Sequence, residues 1–149
     1  MGSQSDYSVM RDCEKILKIL KIKYQVSIVS AHRTPKRMFE FAESASKNGF
    51  AVIIAGAGGS AHLPGMVASL ATVPVIGVPI ESKKLRGLDS LLSIVQMPKG
   101  CPTATMAING AFNAGLHAAS IIGTFDLKVR SNLEKWKRLQ TKSVKKKLK

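Results

Sequence analysis

The sequence has few cysteines, few aromatic residues, few acidic residues and no long apolar run. Its two thiols, Cys13 and Cys101, lack metal-ligand spacing and a second pair, so we expect neither a metal cluster nor a disulfide framework. No apolar stretch reaches the roughly 18 residues that a membrane span needs, and no basic region followed by an apolar segment opens the chain. These absences predict a protein without a membrane span or a secretory signal, located in the reducing cytoplasm.

Basic residues outnumber acidic ones, and they are concentrated at one end of the chain. The sequence carries 23 Lys or Arg against 9 Asp or Glu, a net charge of +14. Residues 126–149 hold ten of the basic residues and two of the acidic ones, which is more than half of the excess. We predict an α/β domain over residues 1–125 and a basic C-terminal helix or tail over 126–149. Its apolar face would pack on a neighbouring subunit; the alternative is nucleic-acid binding by the Lys145–Lys147 end.

Four short apolar runs alternate with helical patterns, which is typical of βαβ units. The runs are Val26–Val29, Ala51–Ala55, Val73–Pro79 and Thr103–Ala107. This alternation predicts an α/β fold with a central parallel sheet. Right-handed crossovers would bring three polar turns to one edge of that sheet. These turns are Gly2–Asp6, Ser30–Arg33 and Gly56–Ser60.

Helical periodicity also predicts which side chains of the later helices face the core. A helix over Gly87–Val95 is expected to turn its leucines and Val95 inward. Thr34 followed by Pro35 marks another helix start, with a hydroxyl cap and proline at the first helical position.

The turn after the first predicted strand carries a titratable ring beside a guanidinium. His32 and Arg33 lie where ligands bind in open parallel sheets, because the turns leaving the strands converge there. A proton-transfer group next to a cation at this edge indicates chemistry on an anionic substrate. In isolation such a pair is more often an ordinary solvated pair, so the other turns must decide between the two interpretations.

The turn after the second predicted strand is rich in glycine. Three glycines among residues 56–59 let backbone N–H groups approach a ligand without side chains in the way. The spacing fits neither a Walker loop nor the dinucleotide fingerprint, so an anion or a planar polar group is the expected guest. His62 follows this loop as a capping or packed ring, or as a direct participant. Ser5 and Asp6 open the first helix, where they would bind a phosphate or a sugar hydroxyl, or serve as structural caps.

Four motifs follow one another along the chain: Gly2-Ser3-Gln4-Ser5-Asp6, Ser30-Ala31-His32-Arg33-Thr34-Pro35, the segment Ala55–Met66 and the segment Ser90–Pro98. In this order they resemble the class I catalytic subunit of phosphoribosylaminoimidazole carboxylase, a purine-biosynthesis family also called N5-carboxyaminoimidazole ribonucleotide mutase. The similarity extends to about Gly123. The resemblance implies a flavodoxin-like three-layer α/β/α sandwich, with an extra C-terminal helix, that assembles as a homo-octamer with sites shared between subunits.

The resemblance also implies a reaction, in which the carboxylate on N5 of the aminoimidazole ribonucleotide moves to ring carbon C4 without metal, biotin, ATP or another cofactor. The substrate would come from the ATP-dependent carboxyaminoimidazole ribonucleotide synthase. Three alternatives remain: direct carboxylation of aminoimidazole ribonucleotide by CO2, a basic nucleic-acid-binding protein, and an inactive oligomer that lacks its first strand.

Site roles carried over by the resemblance follow the motifs. His32 would be the proton carrier. Ser3 and Asp6 would bind the ribonucleotide, and Ser5, Ser30 and Arg33 would hold its phosphate. The remaining substrate-binding positions are Gly58, Gly59, Ser60, Ala61 and His62 around the migrating carboxylate, and Met97 and Pro98 in a loop that closes the site.

The sequence departs from the family pattern in two places. Family members carry an apolar strand ahead of the Gly-Ser-x-Ser-Asp turn, whereas Met1 directly precedes it here, so an interior strand is expected to be absent. The turn over Ile108–Gly115 is shorter than the family pattern, and subunit contacts there are expected to differ.

Overall fold

The computed structural model describes residues 1–146 of the chain; Lys147, the last residue of the predicted nucleic-acid-binding end, lies outside the described residues. Within them, no helix is long and apolar enough to cross a bilayer. A short 3-10 turn at Gln4–Asp6 precedes the first helix. The helices and strands are α1 (Tyr7–Ile19), α2 (Pro35–Ser44), β1 (Ile53–Gly58), α3 (Leu63–Ala68), β2 (Val75–Ile80), α4 (Leu88–Val95), β3 (Ala104–Thr105), α5 (Ala111–Ile122) and α6 (Leu127–Ser143).

The sheet is parallel, as predicted. β1 pairs with β2 from Ile53 opposite Val75 to Gly58 opposite Ile80, and β3 adds two residue pairs on the other side of β2. Both long strands begin two residues later than the apolar runs that predicted them. The ladder directs the carboxyl ends of β1 and β2 to the same edge of the sheet.

Helices cover both faces of the sheet and give three layers. Met38 of α2, Val67 of α3 and Ile94 of α4 pack in one cluster with the alternate residues of β1. On the opposite face of the sheet, Cys13 of α1 and Ala114 of α5 pack with alternate residues of β2, which are Ile76, Val78 and Ile80. The predicted flavodoxin-like α/β/α sandwich is therefore confirmed.

The run Val26–Val29 was predicted as a sheet strand, and this prediction is wrong. The segment Tyr24–Val29 forms no strand, and the backbone bonds that it makes among the described residues go to Met1. The Met1 ammonium donates to the Ser27 carbonyl oxygen at 3.1 Å, and the Val29 N–H donates to the Met1 carbonyl oxygen at 2.8 Å. On its other side, the Gly2 N–H donates to the Gly56 carbonyl oxygen at 3.1 Å. Met1 and Gly2 thus join Tyr24–Val29 to β1 through two residues of parallel pairing.

A groove of about 460 Å³ continues backwards from Met1 between Tyr24–Val29 and β1. Apolar side chains line it from both helical layers, including Cys13 of α1 and Val67 of α3. Because β1 bonds to β2 through its odd-numbered residues, the backbone groups of Ile54 are directed away from β2, towards this groove. The groove has the lining that an apolar parallel strand would need.

Two predicted packing faces also differ from the structure. The buried residues of α4 are Ser90 and Ile94, whereas Leu88 and Leu92 are about half exposed (51% and 48%), so the predicted inward face of leucines is wrong. The reason is the helix's rotation: the small Ser90 fits against the end of β2. The second face is that of α6: Leu133, predicted to contact a neighbouring subunit, packs instead with Ile16 of α1 and Ala119 of α5 in its own chain, whereas packing of the rest of this face on a neighbouring subunit stays a prediction.

A four-residue apolar extension, Val-Ile-Val-Ile, joined to the Met1 nitrogen is expected to fill the groove as a parallel strand. Burial of its side chains, reduced by the entropy of ordering them, should raise the free energy of unfolding by on the order of 2–4 kcal/mol. Chemical denaturation measures the difference. A Gly-Ser-Gly-Ser extension is the matched control because it can pair its backbone but buries little apolar surface, and equal stability of the two extended chains would contradict the expectation.

Candidate active site

A cleft of about 780 Å³ opens at the carboxyl ends of β1 and β2. The three predicted polar turns meet in this cleft, although they are far apart in sequence. It is lined by ten of the predicted site residues: Ser3, Ser5, Asp6, Ser30, His32, Arg33, Gly58, Gly59, Ser60 and His62.

Three predicted site residues do not line the cleft. Ala61 is buried beneath the glycine turn at 1% exposure. Met97 packs its sulfur against Gly65 of α3, and Pro98 is exposed. Their roles, including closure of the site by the loop that carries Met97 and Pro98, stay predictions.

The first turn is held by a reciprocal capping arrangement. The Ser3 N–H donates to Oδ2 of Asp6 at 2.9 Å, while Oγ of Ser3 accepts from the Ser5 N–H at 3.4 Å and from the Ser5 hydroxyl at 3.0 Å. Asp6 is buried, and this burial raises the pKa of its carboxyl above the ordinary value; the Ser3 N–H and the Met1 ammonium act in the opposite direction. The Asp6 carboxyl therefore lies at the cleft wall, where its hydrogen bond and the nearby ammonium offset only part of the cost of burying its charge.

The second turn positions a guanidinium. Oγ of Ser30 accepts from the Arg33 backbone N–H at 3.3 Å and from its Nε at 3.4 Å, and Nη2 of Arg33 donates to the Gly2 carbonyl oxygen at 3.2 Å. Thr34 does not cap α2 through its hydroxyl as predicted; that hydroxyl instead donates to the Ser30 carbonyl oxygen at 3.1 Å. Pro35 opens α2 as predicted. The turn thus folds on itself and presents Arg33 to the cleft beside the first turn.

Two histidines meet across the cleft. Nε2 of His32 and Nδ1 of His62 are 2.8 Å apart, and the rings are nearly perpendicular with centroids 4.9 Å apart. One of these nitrogens carries the shared proton and the other accepts it. His62 precedes α3 but makes no side-chain cap, so its ring is engaged with His32 rather than with the helix. The two exposed rings form a hydrogen-bonded pair that can pass a proton.

The glycine turn follows β1 directly. Gly59 has a φ of +68°, in the left-handed region that glycine adopts without a steric penalty. Its N–H donates to Oγ of Ser90 at 2.8 Å, and that hydroxyl donates to the Ile80 carbonyl oxygen at 2.6 Å. Sequence reasoning gave Ser90 no individual role.

The loop after β2 supplies further residues that sequence reasoning missed. Lys83 and Arg86 line the cleft together with Glu81 and Asn109. Asn109 receives the Glu81 backbone N–H at 2.9 Å and donates to its carboxylate at 3.1 Å, which fastens the end of β2 to the loop before α5. The sequence did hold a signal for these residues, because the loop follows a predicted parallel strand and therefore lies at the same sheet edge as the other turns. Among residues 1–146, no group of three His, Cys, Asp or Glu side chains is arranged to hold a metal ion.

Fold and cleft together define an α/β enzyme with a cationic, histidine-bearing site at the carboxyl edge of a parallel sheet. A sequence model of the family described as AIR carboxylase matches residues 1–143, and the chain belongs to this family. The resemblance found in the four motifs is thereby confirmed.

Individual relatives agree with this assignment. The chain is 53% identical over 146 residues to the N5-carboxyaminoimidazole ribonucleotide mutase of Escherichia coli (strain K12), covering 97% of this chain and 86% of the relative. It is 63% identical over 123 residues to the mutase of the same name from Saccharolobus solfataricus, covering 83% and 78%. A crystal structure of PurE from Treponema denticola superposes with a TM-score of 0.87 at 26% identity, covering 95% of this chain and 89% of that one.

Asp6→Asn is expected to change the pH dependence of stability. Because the folded pKa of Asp6 lies above the ordinary value of 3.8, ionisation costs more in the folded protein than in the unfolded chain. Its contribution to stability is fully present below about pH 4 and is lost as pH rises through the folded pKa. The asparagine variant should therefore gain stability relative to the wild type over that rise, as followed by denaturation at a series of pH values.

Asp12→Asn is the control, because the Asp12 side chain on α1 is 44% exposed and, within residues 1–146, forms its ion pair with Lys15. A stability difference between Asp6→Asn and the wild type that stays constant from pH 4 to pH 7 would contradict a raised pKa at Asp6.

Proposed function

We propose that the protein converts N5-carboxyaminoimidazole ribonucleotide into 4-carboxy-5-aminoimidazole ribonucleotide, a step of purine biosynthesis, as an isomerase. The carrying observation is the His32–His62 pair at 2.8 Å, located in one cleft with Arg33 and a glycine turn. The names of relatives that are 53% and 63% identical support the same reaction. A mutase needs these three parts: a proton carrier, an anion site and a wall without side chains.

The phosphate of the substrate would bind where the first two turns meet. Ser5 and Ser30 offer hydroxyls there, and Arg33 offers a guanidinium whose hydrogen bonds, within residues 1–146, go to neutral oxygens. Asp6 and Ser3 lie beside them, suited to the ribose hydroxyls because a carboxylate accepts hydrogen bonds and a hydroxyl also donates them. Binding at the phosphate would hold the ring over the histidine pair.

His32 would give and then take one proton. It protonates N5, the bond between N5 and the carboxylate carbon breaks, and the bonding electrons stay on nitrogen as CO2 is released. The enamine-like C4 then attacks CO2 to form the new carbon–carbon bond. The proton on C4 returns to His32, which restores the enzyme without an oxidant or a reductant. An imidazole suits both halves because its unperturbed pKa is near neutral pH.

His62 would orient the His32 ring and exchange a proton with it. The contact between Nε2 and Nδ1 fixes the rotation of the His32 ring, and the shared proton gives His32 a partner while it is charged. The glycine turn Gly58–Gly59 would face the released CO2, since its backbone lines the cleft without side chains.

The proposed enzyme works as a homo-oligomer, an octamer by the family resemblance, and takes its substrate from the ATP-dependent carboxyaminoimidazole ribonucleotide synthase. An unpartnered apolar face on α4 and the preceding loop supports self-association: Leu85, Leu88, Leu92 and Val95 are each about half exposed. On association, these side chains would be buried between two subunits, against the α4 face of the second subunit.

His32→Asn is expected to lower turnover by about a thousandfold or more while substrate still binds, because asparagine can hydrogen-bond but cannot carry the proton at neutral pH. Formation of the 4-carboxy product and binding of the ribonucleotide are measured separately. His117→Asn is the matched control, since His117 is exposed on α5 away from the cleft lining. Undiminished turnover in His32→Asn, or turnover only from aminoimidazole ribonucleotide with free CO2, would contradict the proposed reaction.

Leu92→Glu is expected to reduce the size of the assembly, because a carboxylate in the middle of the α4 face would be buried on association. Sedimentation velocity gives the mass of the particle. Ile19→Glu on α1 serves as the control, since Ile19 is similarly exposed (57%) but lies in the helical layer on the opposite face of the sheet from α4. An unchanged oligomer in Leu92→Glu would exclude this face as the interface.

A further inference from the structure

One serine hydroxyl connects two turns of the cleft from behind. Ser90 is fully buried in α4, with 0% exposure, and does not line the cleft. Its Oγ accepts the Gly59 N–H at 2.8 Å and donates to the Ile80 carbonyl oxygen at 2.6 Å. The Ser90 hydroxyl thus donates to the last residue of β2 and accepts from the residue that follows β1.

The two groups that Ser90 joins are at the ends of neighbouring strands. Gly59 is the first residue after β1, and Ile80 is the last residue of β2. The loop after β2 is also fixed to α4, because Asp89 Oδ1 accepts the Ser82 hydroxyl at 2.7 Å and the Ser90 N–H at 2.9 Å. Ser90 is therefore the point at which the glycine turn is fastened to α4 and β2.

The space beside Gly59 is open on the side where a side chain would stand. Apart from Gly59 itself and its chain neighbours, no atom lies within 4 Å of the position of a Cβ on this residue, and its positive φ is one that few other residues adopt. The position of Gly59 therefore depends on its hydrogen bonds. Among the described residues, the bond from the Gly59 N–H to Ser90 is its one side-chain hydrogen bond.

We propose that Ser90 is a positioning residue that holds the glycine turn as the wall retaining CO2 between the two halves of the reaction. This inference rests on the proposed function and extends it. Without the hydroxyl, the Gly59 N–H and the Ile80 carbonyl lose a buried partner, and the turn is free to shift. CO2 then escapes before C4 attacks it, and the products are free aminoimidazole ribonucleotide and CO2 instead of the carboxylated ring.

The test compares Ser90→Ala with Ser93→Ala. Ser93 lies on the same helix, and its hydroxyl donates to the Asp89 carbonyl oxygen within that helix at 2.7 Å, so the control removes a similar group that touches neither turn. The measured quantity is the ratio of aminoimidazole ribonucleotide released to 4-carboxy product formed, without added bicarbonate. Ser90→Ala should raise this ratio about tenfold or more with KM changed less than about threefold, whereas Ser93→Ala should match the wild type. An unchanged ratio in Ser90→Ala would overturn the proposal.

Ser90→Thr separates the hydroxyl from simple packing. Threonine keeps the donor and acceptor and adds a methyl group, so its release ratio should stay near that of the wild type even if the variant is less stable. Release from Ser90→Thr as high as from Ser90→Ala would overturn the role of the hydroxyl.

Hydrogen exchange in the wild type covers the case in which Ser90→Ala does not fold. The Gly59 amide should exchange at least tenfold more slowly than the neighbouring Ser60 amide. Equal rates would overturn the proposal that Ser90 holds Gly59 in place. Failure of the wild type to form 4-carboxy product would instead overturn the proposed function. Normal product formation with an unchanged Ser90→Ala ratio would overturn the inference on Ser90 alone.

Discussion

The parallel ladder between β1 and β2 is the constraint on which the site depends. Parallel pairing directs both strands to the same edge, so the glycine turn after Gly58 and the loop after Ile80 emerge side by side. Met1 and Gly2 extend this geometry to the next backbone, since Gly2 bonds to Gly56 on one side and Met1 bonds to Ser27 and Val29 on the other. The serine-rich turn and the His32 turn are thereby aligned with the glycine turn. Backbone pairing thus brings the three turns of the cleft together, and side-chain hydrogen bonds such as those of Ser30 and Ser90 then fix them.

The sequence predicted those parts of the site that follow from local chemistry. The glycine turn, the Ser5–Asp6 helix start and the His32–Arg33 pair each carry a local signal, and right-handed crossovers placed them at one edge. The contact of His32 with His62 could not be predicted, because it spans 30 residues and depends on how two turns are oriented in space. Sequence periodicity likewise misjudged the face of α4. Its apolar residues extend around the helix, and the buried side was set by Ser90 fitting against Ile80.

The Tyr24–Val29 segment shows why a strand cannot be predicted from its own residues alone. Its β-branched composition is that of a strand, yet a strand exists only where a neighbour pairs with it. Here the neighbour is Met1, whose ammonium lies between two backbones. Burial lowers the pKa of this ammonium, an effect that Asp6 opposes.

The central claim is that one carboxylate moves from N5 to C4 inside a cleft that retains CO2, with His32 carrying the proton. The most direct measurement supplies substrate labelled with ¹³C in its N5 carboxylate, in an excess of unlabelled bicarbonate, and determines the label at the C4 carboxylate of the product. The account predicts that most product molecules keep the label. Product that carries mainly unlabelled carbon would contradict it, because the carboxylate would then come from solution.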